Sequence, residues 1–215
     1  MSFPASAPVL SDVVRTLAVF AHPDDVDFGC AGTIATWVDE GVDVSYLLVT
    51  RGDSGECGDT PRAEVGRLRE EEQRAAAAAA IRRFRPDRVL TSSPLRRWEQ
   101  LVGPGRPDHL AVGEATTCAV YPDARNRFAH PGLLAAGLEP WVVREIWYAG
   151  GPAPDHVVDV TDRYARKVAA MAAHRSQTGR MDVATWVRDQ LTATADAAGL
   201  PAGRMAEAFA VLRTG

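Results

Sequence analysis

Short apolar runs separated by longer helix-forming stretches constrain the fold of this chain more than any other feature. TLAVFAH (residues 16–22) and VDVSYLLVT (42–50) carry the branched and aromatic residues that suit pleated strands. Between them the spacing predicts a helix over 31–40, closed by Gly41. Strand, helix, strand makes a βαβ unit, whose crossover is long enough for parallel pairing. The alternation continues: a long Ala/Arg/Glu-rich helix over 61–84 opened by Thr60-Pro61, a strand at RPDRVLTSS (85–93), a helix over 107–122, and strands over 141–150 and 156–161. The tail reads as helical from Asp162 to about Arg175 and again from Ala184 to the end, punctuated by Gly-Leu-Pro at 199–201. The expected fold is therefore α/β: a Rossmann-like, mostly parallel sheet flanked by helices. With no internal repeat and no linker, a single domain is expected over 1–215.

Composition narrows the function classes. With 46% hydrophobic and 24% charged residues in 215, the chain can build a substantial core, and a net charge of −4 without a Lys/Arg-rich run argues against nucleic acid as a partner. No apolar run is long enough to span a bilayer, and the first residues lack a signal-peptide pattern. Cys30, Cys57 and Cys118 are odd in number and form no CxxC pair, which points away from a disulfide framework and towards a cytoplasmic location.

Two loops that follow strands hold most of the chemistry: AHPDDVDFG (21–29) and SSPLRRWEQLVGPGRPDHL (92–110). In open parallel sheets ligands bind beyond the carboxyl ends of strands, so the two loops would face one cleft and bring His22, Asp24, Asp25, Asp27, Asp108 and His109 together. Imidazoles and carboxylates suit a divalent cation such as zinc, and three protein ligands with an open position describe a catalytic site. One Asp before a helix suffices as a cap. A second is explained if it is a base beside the metal, although spacing alone does not say which of Asp24 and Asp25 does which.

AHPDD with its Gly-rich helix start, TRGDSG (50–55), REEEQRAA (69–76), RPDRVLT (85–91), PDHLAVGEA (107–115), AVYPDARNRF, DVTD and HRSQ resemble, in order and over Thr16 to Gln177, the PIG-L/LmbE family of zinc-dependent N-deacetylases. The resemblance implies His22, Asp25 and His109 as zinc ligands and Asp24 as the general base. It implies an N-acetylglucosamine-type small molecule or glycoconjugate as substrate, and Arg69 as a residue that contacts it. Trp98, in an exposed-looking loop, and His174 are further substrate-binding candidates, and self-association into a homo-oligomer is left open.

Two departures from the family pattern stand out. Where the family usually has HPDH, this chain has RPDH, placing Arg106 at the catalytic position of a proton donor. Arginine stabilises an oxyanion but does not release a proton near neutrality. Between REEEQRAA and IRRF the family's additional strand and helix also have no counterpart. Both departures raise an alternative, a catalytically impaired relative that acts as a zinc- or sugar-binding module.

Overall fold

A computed structural model of the protein describes residues 9–50, 74–98 and 105–215. Among these, β1 (Arg15–Phe20), α1 (Asp25–Asp39) and β2 (Asp43–Leu48) form the expected βαβ unit. Then follow α2, whose described part covers 74–84, β3 (Arg88–Ser92), α3 (Pro107–Cys118) and the short α4 (Pro131–Ala135). The second half adds β4 (Glu145–Ala149), β5 (His156–Asp159), α5 (Tyr164–Ala173), α6 (Arg175–Thr178), α7 (Val183–Ala197) and β6 (Ala206–Arg213).

The sheet order is β2-β1-β3-β4-β6-β5. Neighbours from β2 to β4 pair in parallel, whereas β6 runs antiparallel to both β4 and β5, so the sheet is mostly parallel as expected. β1 lies inside the sheet and is covered on both faces, which is why TLAVF is a continuous apolar run instead of an alternating one. Leu17 and Val19 pack with Ala77, Ala78 and Ile81 of α2 and Val112 of α3, while Ala18 and Phe20 pack with Val26, Ile34 and Trp37 of α1. The alanines of α2 let that helix lie close to the sheet. Arg82, 1% exposed, then leaves the helix to bond the carbonyls of Asp123, Ala124, Asn126, Ala129 and Leu138, holding the chain between α3 and β4.

Two expectations are corrected. Residues 206–213 are a strand, not the end of a helical tail: AEAFAVLR is rich in alanine, but Ala206 pairs with Asp159 and Phe209 with Ala149 and His156, and these partners decide the outcome over propensity. The helix after AHPDD starts at Asp25, six residues before the expected 31, so both Asp24 and Asp25 sit at its N-terminus. The direct passage from α2 into β3 is observed: only residues 85–87 separate them, with Arg85 at a left-handed φ of 54°. The described sheet has no gap at this place, because β3 pairs with β1 and β2 forms the edge.

Candidate functional site

β1 ends at Phe20, and four residues, 21–24, carry the chain over the end of the sheet into α1. His22 accordingly stands at the carboxyl end of the strand and Asp25 at the first helical position. The turn is fixed from within: the His22 peptide N–H donates to Asp25 Oδ2 at 2.8 Å. Asp24 occupies the N-cap position, yet its side chain makes no capping hydrogen bond. The ordinary reason for an Asp at this position is therefore absent, and the Asp24 carboxylate faces the cleft.

α3 delivers the other half. Arg106 precedes the helix in an extended conformation, Pro107 occupies its first turn, and His109, 8% exposed, points inward. His109 Nε2 lies 3.0 Å from Asp25 Oδ1 and 3.3 Å from His22 Nδ1, and His22 Nδ1 lies 3.3 Å from Asp25 Oδ2. Tetrahedral zinc with bonds of about 2.0–2.1 Å places neighbouring ligand atoms about 3.3 Å apart, so the observed separations match that donor set. Side-chain oxygens of Asp24 and Asp108 also converge: His22, Asp24 and Asp25 form one group with ligand atoms within 4.8 Å of one another, and His22, Asp108 and His109 form a second.

The cluster holds one carboxylate in its ionised form. Burial pushes the Asp25 carboxyl up, but the hydrogen bond from His109, the His22 peptide N–H and the charge of both imidazoles outweigh it and hold the carboxyl below the usual carboxylate range. Asp25 thus stays ionised although its side chain is only 11% exposed. Asp108 Oδ2 is 3.1 Å from His22 Nε2. With Nε2–H donated there, Nδ1 is the nitrogen left to ligate, the usual means by which a carboxylate orients a ligating histidine. Arg106 Nη2 holds the same Asp108 oxygen at 3.0 Å.

The cleft, about 270 Å³, is lined by His22, Asp24, Asp25, Arg106, His174 and Gln177, with Pro23 and Ser176. Five of the eight residues expected in the site line it, and His109 joins them through its contacts with Asp25 and His22. His174, which ends α5, reaches it because its Nε2 sits 2.6 Å from Asp27 Oδ2. Asp27 orients that imidazole and does not cap α1. Trp98 is described but is not in the cleft wall: it is 76% exposed, with the Arg96 guanidinium over its ring at 5.6 Å. Arg69 lies outside the described residues. Sequence reasoning did not assign Ser176 and Gln177 to the site, and HRSQ was their signal.

A larger hollow of about 470 Å³ at the opposite end of the sheet is lined by Trp37, Arg88, Trp147 and His156 among others. Its arginine is committed, with Nη2 at 2.6 Å from Glu145 Oε1 and the guanidinium stacked against both tryptophans. Size does not mark the chemistry in this protein; the smaller cleft holds the convergent ligand atoms.

Comparison with known proteins identifies the family. The family model for PIG-L, described as GlcNAc-PI de-N-acetylase, matches residues 17–80, which include the first loop. A diacetylchitobiose deacetylase of Thermococcus kodakarensis is 30% identical over 200 residues, covering 78% of this chain and 71% of that protein. The chain belongs to the PIG-L family. Another relative, a 1D-myo-inositol 2-acetamido-2-deoxy-alpha-D-glucopyranoside deacetylase of Tsukamurella paurometabola, is 26% identical over 259 residues, covering 76% of this chain and 82% of that protein. Among solved structures, the N,N'-diacetylchitobiose deacetylase of Pyrococcus horikoshii superposes with a TM-score of 0.76 at 23% identity, over 94% of this chain and 85% of that one, and so shares its fold. This PIG-L member thus has relatives named as deacetylases, and the family match takes in His22, Asp24 and Asp25 of the cleft.

Proposed function

We propose that this PIG-L member is a zinc-dependent hydrolase that removes the N-acetyl group from an N-acetylglucosamine-type small molecule or glycoconjugate. The observation that carries the reading is the uncapped Asp24 carboxylate beside the converging His22, Asp25 and His109. A binding site alone has no use for it. His22 Nδ1, Asp25 and His109 Nε2 would hold the zinc, with a position left open towards the cleft. When bound, the cation lowers the pKa of water and polarises the acetamide carbonyl.

The residues of the chain then divide the work. Asp24 accepts the proton of the attacking water as its oxygen bonds to the acetamide carbon. It returns that proton to the nitrogen as the C–N bond breaks, releasing acetate and the free amine. Arg106, held by Asp108 and half exposed at the cleft, faces the negative charge that develops on the carbonyl oxygen and supplies no proton. His174, fixed by Asp27, adds a donor from the opposite wall, and Gln177 offers an amide to sugar hydroxyls. Arg69 and Trp98 are proposed as substrate contacts on the strength of the sequence. The negative net charge supports an uncharged or amine-bearing sugar over a polyanion. We place the activity in one domain and in the cytoplasm; among the described residues no helix is long and apolar enough to cross a membrane.

The test is acetate release from a panel of N-acetylglucosaminides by the zinc-loaded protein, including N,N'-diacetylchitobiose and N-acetylglucosaminyl inositol. Release that stops on chelation and returns with zinc is expected. A protein that binds zinc and releases acetate from none of them contradicts the proposal.

A further inference from the structure

α5 lies antiparallel across α1 and grips it at both ends. At the far end Arg163 Nε and Arg166 Nη1 meet Asp39 Oδ2 at 2.7 and 2.9 Å, and at the site end His174 meets Asp27. Between these lies a fully buried ion pair, Lys167 and Glu207, with side chains each 2% exposed and Nζ 2.7 Å from Oε1. Lys167 is seven residues before His174, two turns along the same helix face.

The pair does more than neutralise itself. Lys167 Nζ also donates to the carbonyls of Asp27 at 3.0 Å and Phe28 at 2.9 Å, so its three protons have three acceptors. Glu207, on β6, accepts from the peptide N–H groups of Gly32 at 3.0 Å and Thr33 at 2.7 Å. In a regular helix the Gly32 N–H belongs to the Phe28 carbonyl and the Thr33 N–H to that of Gly29. A cation and an anion therefore enter the ladder of α1 on either side of one of its own hydrogen bonds, one turn behind Asp24 and Asp25. Side chains inserted in this way are a recognised cause of helix bending. Gly32 is needed for the approach: a Cβ there would stand 3.1 Å from Glu207 Oε1 and 2.8 Å from Val160 Cβ.

We propose that Lys167 and Glu207 are positioning residues that set the angle at which the first turn of α1 presents Asp24 and Asp25 to the cleft. Burying an ion pair is a poor way to gain stability, because well-packed apolar residues of similar volume commonly do as well. Holding the backbone N–H and C=O groups of α1 in one direction is a task that apolar side chains do not perform. The inference rests on the deacetylase reading where turnover is the readout, and on geometry alone elsewhere.

The decisive variant is the volume-matched double substitution Lys167→Met with Glu207→Leu in the full chain. Without the pair the Gly32 and Thr33 N–H groups have the Phe28 and Gly29 carbonyls of the regular ladder as partners, so the helix survives while its first turn shifts. We expect a Tm close to that of the wild type, a kcat lower by about 10–100-fold with KM within about twofold, the scale set by small misplacements of reacting groups. Cobalt(II) affinity should weaken about tenfold, and amide exchange over residues 25–29 should quicken. Glu207→Asp, which keeps the charge but shortens the reach to Gly32 and Thr33, should lower kcat in the same direction and serves if the double variant does not fold. If wild type releases no acetate, the deacetylase reading fails by itself, and cobalt affinity and amide exchange still decide this proposal. Variants that match wild type in kcat, cobalt affinity and first-turn exchange overturn it.

Discussion

The two loops that build the cleft both join a strand to a helix, yet they are made differently. Residues 21–24 connect β1 to α1, and the histidine of the turn is held at three points: its N–H by Asp25, Nδ1 beside Asp25 and Nε2 at Asp108. The Asp24 carboxylate, by contrast, makes no capping hydrogen bond. The second loop lies between Ser92 and Pro107, and while His109 in the first turn of α3 is buried, Arg106 before it is 55% exposed, and among the described residues its side chain pairs with Asp108. In the proposed reaction the first loop supplies half of the metal site together with the base. The second leads to the last proposed ligand, and at its outer position this chain carries Arg where the family resemblance implies His.

This contrast can be broken most severely at the residue that links the halves. His109→Ala removes the contact with both His22 and Asp25; bound zinc, measured by metal analysis, should be lost together with essentially all turnover. Asp24→Asn strikes the first loop without touching a ligand, so zinc content should stay at the wild-type level while kcat falls about 10²–10⁴-fold, the usual worth of an acid–base group. Asp108→Asn loosens the orientation of His22 from the second loop, and competition with a chelator should show zinc affinity weaker by about 10–100-fold. Arg106→His sharpens the comparison in the opposite direction, with a gain in kcat of about tenfold expected. The gain depends on a protonated imidazole, so it should be present below the pKa of that histidine, about 6.5 when unperturbed, and fade as pH rises through it. The wild-type protein should lack this limb.

Much of this arrangement was legible in the sequence because its signals are local. TLAVF announces a strand covered on both faces, and HPDD next to a Gly-rich helix start places three functional groups within four residues. The direct run from α2 into β3 was equally legible, since six alanines leave no room for another strand. What failed was non-local. β6 takes its conformation from β4 and β5, partners more than forty residues away in the chain, and its alanines suggested a helix. Lys167 and Glu207 carry no motif; their meaning appears only when α5 and β6 close on α1. Trp98, 76% exposed, rests on the sequence alone, as an aromatic in a polar loop.

The central claim is that the first loop provides both a metal half-site and a base that is not a ligand. The most direct measurement is acetate release, alongside zinc content, for wild type and Asp24→Asn on the same N-acetylglucosaminide. The account predicts equal zinc in both and acetate from the wild type alone at an appreciable rate. Equal acetate release from both proteins, or loss of zinc in Asp24→Asn, would contradict it.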